Sequence, residues 1–110
     1  MIRLALASLC AAALGCNPAG NSTDGPEVFA NICATCHGPT GKPNEVMIAK
    51  LGVHDLTAPD FRKRVTPELV EHQIRTGSAN KSMPALGSAL TDAQITAVAA
   101  FVASESFVKR

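Results

Sequence analysis

Cys33-Ala34-Thr35-Cys36-His37 is the stretch that decides how this chain is read. Two thiols stand with two residues between them, and an imidazole follows directly. Several chemistries use such a pair. A redox dithiol of the thioredoxin kind calls for a strand ahead of it and a βαβ setting, and no strand pattern occurs in the sequence. A tetrahedral zinc site takes four ligands, and only His54 or His72 remain to complete one. A plain disulfide across two residues is geometrically poor outside redox motifs. Thioether links from both thiols to one flat prosthetic group, with the imidazole beneath it, use every position of the motif.

The residues before the motif are helical. Asp24 and Gly25 are cap candidates, Pro26 suits the first helical position, and Glu27 suits the positive end of a helix. Val28, Phe29, Ile32 and Cys33 then make one apolar stripe, with Phe29 one turn before Cys33. Gly38-Pro39-Thr40-Gly41-Lys42-Pro43 supplies the breakers that end the helix.

A helix that delivers Cys-x-x-Cys-His to a buried face reads as a c-type haem attachment site. Cys33 and Cys36 bind the cofactor covalently, and His37 is the proximal iron ligand. A second axial ligand is then needed. Met83, in Ser82-Met83-Pro84-Ala85-Leu86, lies in a loop that Pro84 biases towards an extended backbone, so its thioether can project from the loop. Met47 lies in an apolar stretch and reads as core filler. His54 and His72 are rival ligands. Ligation by His37 and Met83 raises the reduction potential and suits electron transfer.

Beyond the motif the chain stays helical. Val46 to Leu51 can form a short helix, and Leu56 to Phe61 a loop entering another turn. Thr66-Pro67-Glu68 starts a helix with Leu69, Val70 and Ile74 inward and Gly77 as its stop. Thr91-Asp92-Ala93-Gln94 is a capping box, followed by Ile95, Val98, Ala99 and Val102 at helical spacing. The expected class is all-α.

Ahead of the domain stands an address. Met1-Ile2-Arg3 and the uncharged run Leu4 to Leu14 form a secretory leader, too short to span a bilayer. Ala13-Leu14-Gly15-Cys16 resembles the lipobox of bacterial lipoproteins, which implies cleavage before Cys16 and a lipid on it. Asn17 after it weakly favours the outer membrane. The expected organisation is residues 1–15 as leader, 16–25 as flexible linker and 26–110 as one domain. Of the four cysteines, Cys10 leaves with the leader. Ten basic and nine acidic residues are scattered apart from Arg62-Lys63-Arg64, so nucleic acid is not an expected partner. A chain of 110 residues without Trp or Tyr buries a limited core, and domains of this size usually need a staple.

From about Asp24 to Val108 the chain resembles the class I cytochromes c of small bacterial monohaem type. Phe29 with Cys33-Ala34-Thr35-Cys36-His37-Gly38, Ile74 with Gly77, Met83-Pro84-Ala85-Leu86 and the helix from Thr91 to Ala103 carry the likeness. The resemblance implies four or five helices wrapped around one haem, with the first and last helices crossing at Phe29 and Phe101. It implies a proline carbonyl, from Pro39 or Pro43, that orients His37. It offers Leu51, Leu56, Phe61, Ile74, Leu86, Leu90, Ile95 and Val98 as pocket residues. The implied function is one-electron transfer with redox proteins outside the cytoplasm, without substrate turnover. The alternative is a haem subunit of a periplasmic oxidoreductase. Lys42 and Lys81 are candidates for a rim that steers an acidic partner, and Arg62 or Arg75 for pairing with haem propionates.

Overall fold

The computed structural model describes residues 20–110; the leader, Cys16 and most of the linker lie outside the described residues. Among the described residues the fold is all-α, in six helices joined by irregular loops. α1 covers residues 25–37 in three continuous pieces: Gly25–Val28, a π turn Phe29–Cys33, and Ala34–His37. Then come α2 (Glu45–Leu51), α3 (Pro59–Arg64), α4 (Pro67–Thr76), α5 (Asp92–Ala103) and α6 (Glu105–Val108).

The caps follow from short polar side chains. Asp24 accepts from the Glu27 N–H and Thr66 from the Leu69 N–H. The Thr91 hydroxyl accepts from the Gln94 N–H at 3.1 Å, and the Gln94 side chain accepts from the Thr91 N–H at 3.0 Å. Each of these satisfies a backbone donor that a helix start leaves free. The same Gln94 amide donates to the carbonyls of Gly20 and Ser22, so this buried side chain also pins the segment entering α1.

α5 packs on α4 and on the start of α1. Gly25 makes the α1–α5 crossing possible. A Cβ there would stand 2.6 Å from the Ala97 carbonyl oxygen and 2.7 Å from the Phe101 Cβ. Phe29 and Phe101 meet edge to face at 6.1 Å between centroids, as the resemblance implies. Phe107 of α6 joins them at 5.2 Å and 5.3 Å, and the Arg110 guanidinium lies over all three rings. α6 and the burial of Phe107 have no counterpart in the sequence reading.

The π turn departs from the expected regular helix. The Ala34 N–H donates to the Phe29 carbonyl, five residues back. One extra residue in the turn advances everything after it by about 100°. Phe29, before the turn, is fully buried, and Cys33, Cys36 and His37 at and after it are half-buried.

Candidate haem site

A cavity of about 830 Å³ opens between α1, α3, α4 and the loops that follow α2 and α4. Its wall is mostly apolar: Phe29, Ile32, Leu51, Leu56, Phe61, Ile74, Leu86 and Val98 all contribute. Of the expected pocket residues, Leu90 and Ile95 are buried in the core instead and do not reach the cavity.

Cys33, Cys36 and His37 lie together on this wall, at the end of α1. Gly38 ends the helix at φ 79°, and a Cβ there would strike the Lys42 carbonyl, so only glycine turns the chain so sharply. Both cysteines are free thiols. Burial pushes the Cys33 thiol up to about 11, so it keeps its proton at neutral pH. Among the described residues no three of His, Cys, Asp and Glu gather as a metal cage.

The His37 ring is held by a backbone group. Its Nδ1 lies 3.0 Å from the His54 carbonyl oxygen. A carbonyl only accepts, so Nδ1 carries the hydrogen and Nε2 keeps its lone pair. This corrects the expected proline carbonyl: neither Pro39 nor Pro43 orients the ring. The loop carrying His54 is placed by the Leu56 N–H, which donates to the Gly41 carbonyl at 2.9 Å. Gly41 in turn lies so close to the Phe107 ring that a Cβ would collide with it. Burial lowers the His37 pKa. The His54 carbonyl works in the opposite direction, and the charge on the His54 imidazole adds to the lowering. The net effect favours the neutral imidazole that a metal requires.

Met83 lines the same cavity from the loop after α4. That loop is tied to itself. Gly77 turns at φ 71°, the Ser78 N–H donates to the Met83 carbonyl at 3.0 Å, and the Met83 N–H donates to the Ser78 hydroxyl at 2.9 Å. The Ser78 hydroxyl donates to the Asn80 side-chain oxygen, which also accepts from the Ser82 N–H. The Leu86 N–H donates to the Ile74 carbonyl and moors the far end to α4.

The rival ligands part from the site to different degrees. Met47 and His72 do not reach the cavity. His54 borders it but is exposed, and its contribution to His37 comes from the backbone.

The arginine expectation fails. Arg62 donates to the carbonyls of Leu56, Val102 and Ser104 at 3.2, 2.7 and 2.9 Å, closing the end of α5. Arg75 pairs with Asp92 at 2.9 Å on the surface. Lys42 and Lys81 are exposed and stand off the cavity wall. Arg64 and Gln73, which the sequence reading did not single out, are on that wall; helical phase alone separates Arg64 from Arg62.

The donor set and the shape fit a flat, largely apolar group held by two thiols and one imidazole, with a thioether on the wall of the same cavity. The comparisons agree. The family described as "Cytochrome C oxidase, cbb3-type, subunit III" matches residues 20–102. The chain is 34% identical to cytochrome c6 of a Picosynechococcus species, over 80% of this chain and 76% of that one. It is 32% identical to cytochrome c6 of a Synechococcus species, over 80% and 73%. Among solved structures it is similar to KustC0563, a c-type cytochrome, with a TM-score of 0.64, 25% identity, and coverage of 73% of this chain and 94% of that one.

Proposed function

The chain belongs to the cytochrome c family, and we propose on that footing that it is a small electron carrier whose c-type haem, attached through Cys33 and Cys36, is ligated by His37 and Met83. One observation carries the ligand assignment. Met83 shares a single cavity with Cys33, Cys36 and His37, and the His37 hydrogen bond leaves Nε2 as the ring nitrogen free for iron.

When bound, the haem supplies a one-electron Fe(II)/Fe(III) couple. The chain's residues do the rest. Cys33 and Cys36 would hold the haem through two thioether bonds, each the product of adding an S–H across a vinyl double bond, a change that needs no oxidant. The His54 carbonyl fixes the His37 tautomer and ring plane. The self-bonded Met83 loop holds its thioether at the wall with little freedom to swing away. The apolar lining excludes water, which favours the less charged reduced site.

The leader and Cys16 support a place outside the cytoplasm, tethered to a membrane by lipid, with redox proteins as partners. Among the described residues no helix is long and apolar enough to cross a membrane. A second reading rests on the matched family, whose description names an oxidase subunit. In it the same haem relays electrons inside an oxidoreductase assembly.

The deciding experiment is a visible spectrum of the exported protein, oxidised and reduced, before and after acid-acetone extraction. Haem that stays with the protein supports the thioether attachment, and haem that extracts freely overturns it. Membrane association lost in Cys16→Ser would support the anchor, and its retention would remove it.

A further inference from the structure

Residues 20–24 stand outside any helix, yet they are bonded to the domain. Gln94 is the one fully buried polar side chain among the described residues. Its amide donates to the Gly20 carbonyl at 3.1 Å and to the Ser22 carbonyl at 3.0 Å. Its side-chain oxygen is taken by the Thr91 N–H. The Ser22 hydroxyl donates to the Glu27 carboxylate and accepts from the Asp24 N–H. A buried amide is costly to leave unpaired, so Gln94 acts as a clasp on the chain that enters α1.

The clasp sits at one end of the α1–α5 pair and the cavity at the other. Gln94 lies in the first turn of α5, and Gly25 crosses α5 further along, at Ala97 and Phe101. The cavity wall begins only at Phe29 on α1 and at Val98 on α5. From Gly25 to His37, α1 is about 18 Å long at 1.5 Å per residue. From Cys16 to Gly20 the chain advances by four residues, a reach of about 14 Å when fully extended. Turning the haem end down onto a bilayer would lift Gly20 by at least the length of α1, farther than that chain extends.

We propose that the Gln94 clasp keeps the haem end of the domain turned away from the membrane that holds Cys16, so that its electron partner is a protein arriving from the aqueous side rather than one embedded in that bilayer. The inference rests on reading Cys16 as the lipid carrier and the cavity as the haem site. With the two Gln94 bonds gone, the chain from Cys16 to Ser22 has about 21 Å of reach, enough to bring the haem end to the surface. A tether too short to span two sites gives an effective concentration near zero, and one that just spans them gives a high one.

The test places the lipidated holoprotein on phosphatidylcholine vesicles that carry a trace of lipid with a ferrocenium headgroup. The haem is reduced first. Its oxidation, one electron passing from Fe(II) to ferrocenium, is followed by visible absorption at vesicle dilutions where exchange between vesicles is slow. Each rate is taken relative to that with ferricyanide in solution. Three proteins are compared: the parent, Gln94→Glu, and a chain with four Gly/Ser residues inserted after Ala19. Gln94→Glu keeps the acceptor for the Thr91 N–H and turns an oxygen on the two carbonyls. The insertion lengthens the tether without touching the fold. Both should exchange with the headgroup at least about tenfold faster than the parent. A parent as fast as the inserted chain would overturn the proposal, and so would an inserted chain as slow as the parent. Gln94→Glu at the parent's rate beside a fast inserted chain would remove the clasp from it. If Gln94→Glu does not accumulate, Gln94→Met carries the same comparison. A parent that does not float with the vesicles would strike the lipid reading instead, which flotation reveals before any rate is measured.

Discussion

His37 and His54 are joined through one ring nitrogen and one backbone carbonyl, 3.0 Å apart across seventeen residues of sequence. The His54 side chain takes no part in that bond. His54→Ala should therefore keep the parent's oxidised and reduced spectra, and its midpoint potential should stay close to the parent's. A His54→Ala protein that lost its low-spin spectrum would show that the imidazole, not the carbonyl, matters.

The two internal methionines should behave differently. Met83→Ala removes the proposed thioether ligand, so the weak far-red Met–iron band should vanish and the potential should fall. Met47→Ala should leave both unchanged, since Met47 lies off the cavity. Oxidised-state absorption spectra of the two variants decide the matter.

Gly25 tests the helix crossing. Gly25→Val drives a side chain into the Ala97 carbonyl and the Phe101 Cβ. Overpacking of this kind costs about 1–3 kcal/mol. Denaturant titration should show a lower midpoint with the slope retained, while the haem spectrum of the folded fraction stays unaltered.

Arg62 bonds to three carbonyls with one planar group. Arg62→Leu should destabilise the fold by about 1.5–3 kcal/mol, the usual range for hydrogen bonds to a charged group. Arg62→Lys should rescue little, because an ammonium lacks the fork. Thermal melts of both variants give the comparison, and full rescue by lysine would contradict the geometry.

Much of this architecture was open to reading in the sequence. Thr66-Pro67 and Thr91-x-x-Gln94 announce two helices because capping uses side chains within a few residues of the groups they satisfy. The place of Met83 on a loop at the cavity wall was legible because a proline after it restricts the backbone. The His54 carbonyl was not, since every residue offers the same C=O and only the fold brings that one to His37. The roles of Arg62 and Arg64 were hidden for a related reason. Their identity is the same, and the turn of a six-residue helix sends one to the end of α5 and the other to the cavity. Phe107 and Arg110 sit in the last four residues, where no periodic pattern is long enough to register.

Asp55 gives the fold an acid-sensitive turn. Burial raises its pKa, but hydrogen bonds from the Thr57 hydroxyl and N–H, helped by Lys42, outweigh this and leave the carboxyl below its ordinary 3.8. A carboxyl depressed by folding contributes stability above its unfolded pKa, and that contribution fades as the pH falls through the lower folded value. Stability should therefore drop below about pH 4 in the parent, and Asp55→Asn should flatten that drop. Urea midpoints measured at several acidic pH values would reveal a parallel decline in both proteins if Asp55 were uninvolved.

The π turn places a constraint on length rather than on chemistry. Ala30 is exposed and off the cavity wall, and substitutions there should pass with little effect. Deleting one residue between Phe29 and Cys33 would restore a regular helix and swing both thiols and the imidazole about 100° around its axis, off the wall they now share. Inserting one would err in the other sense. In descendants of this gene, spelling can drift across that segment while its residue count stays frozen, and a frame-preserving indel there would cost the chain its cofactor without touching any ligand.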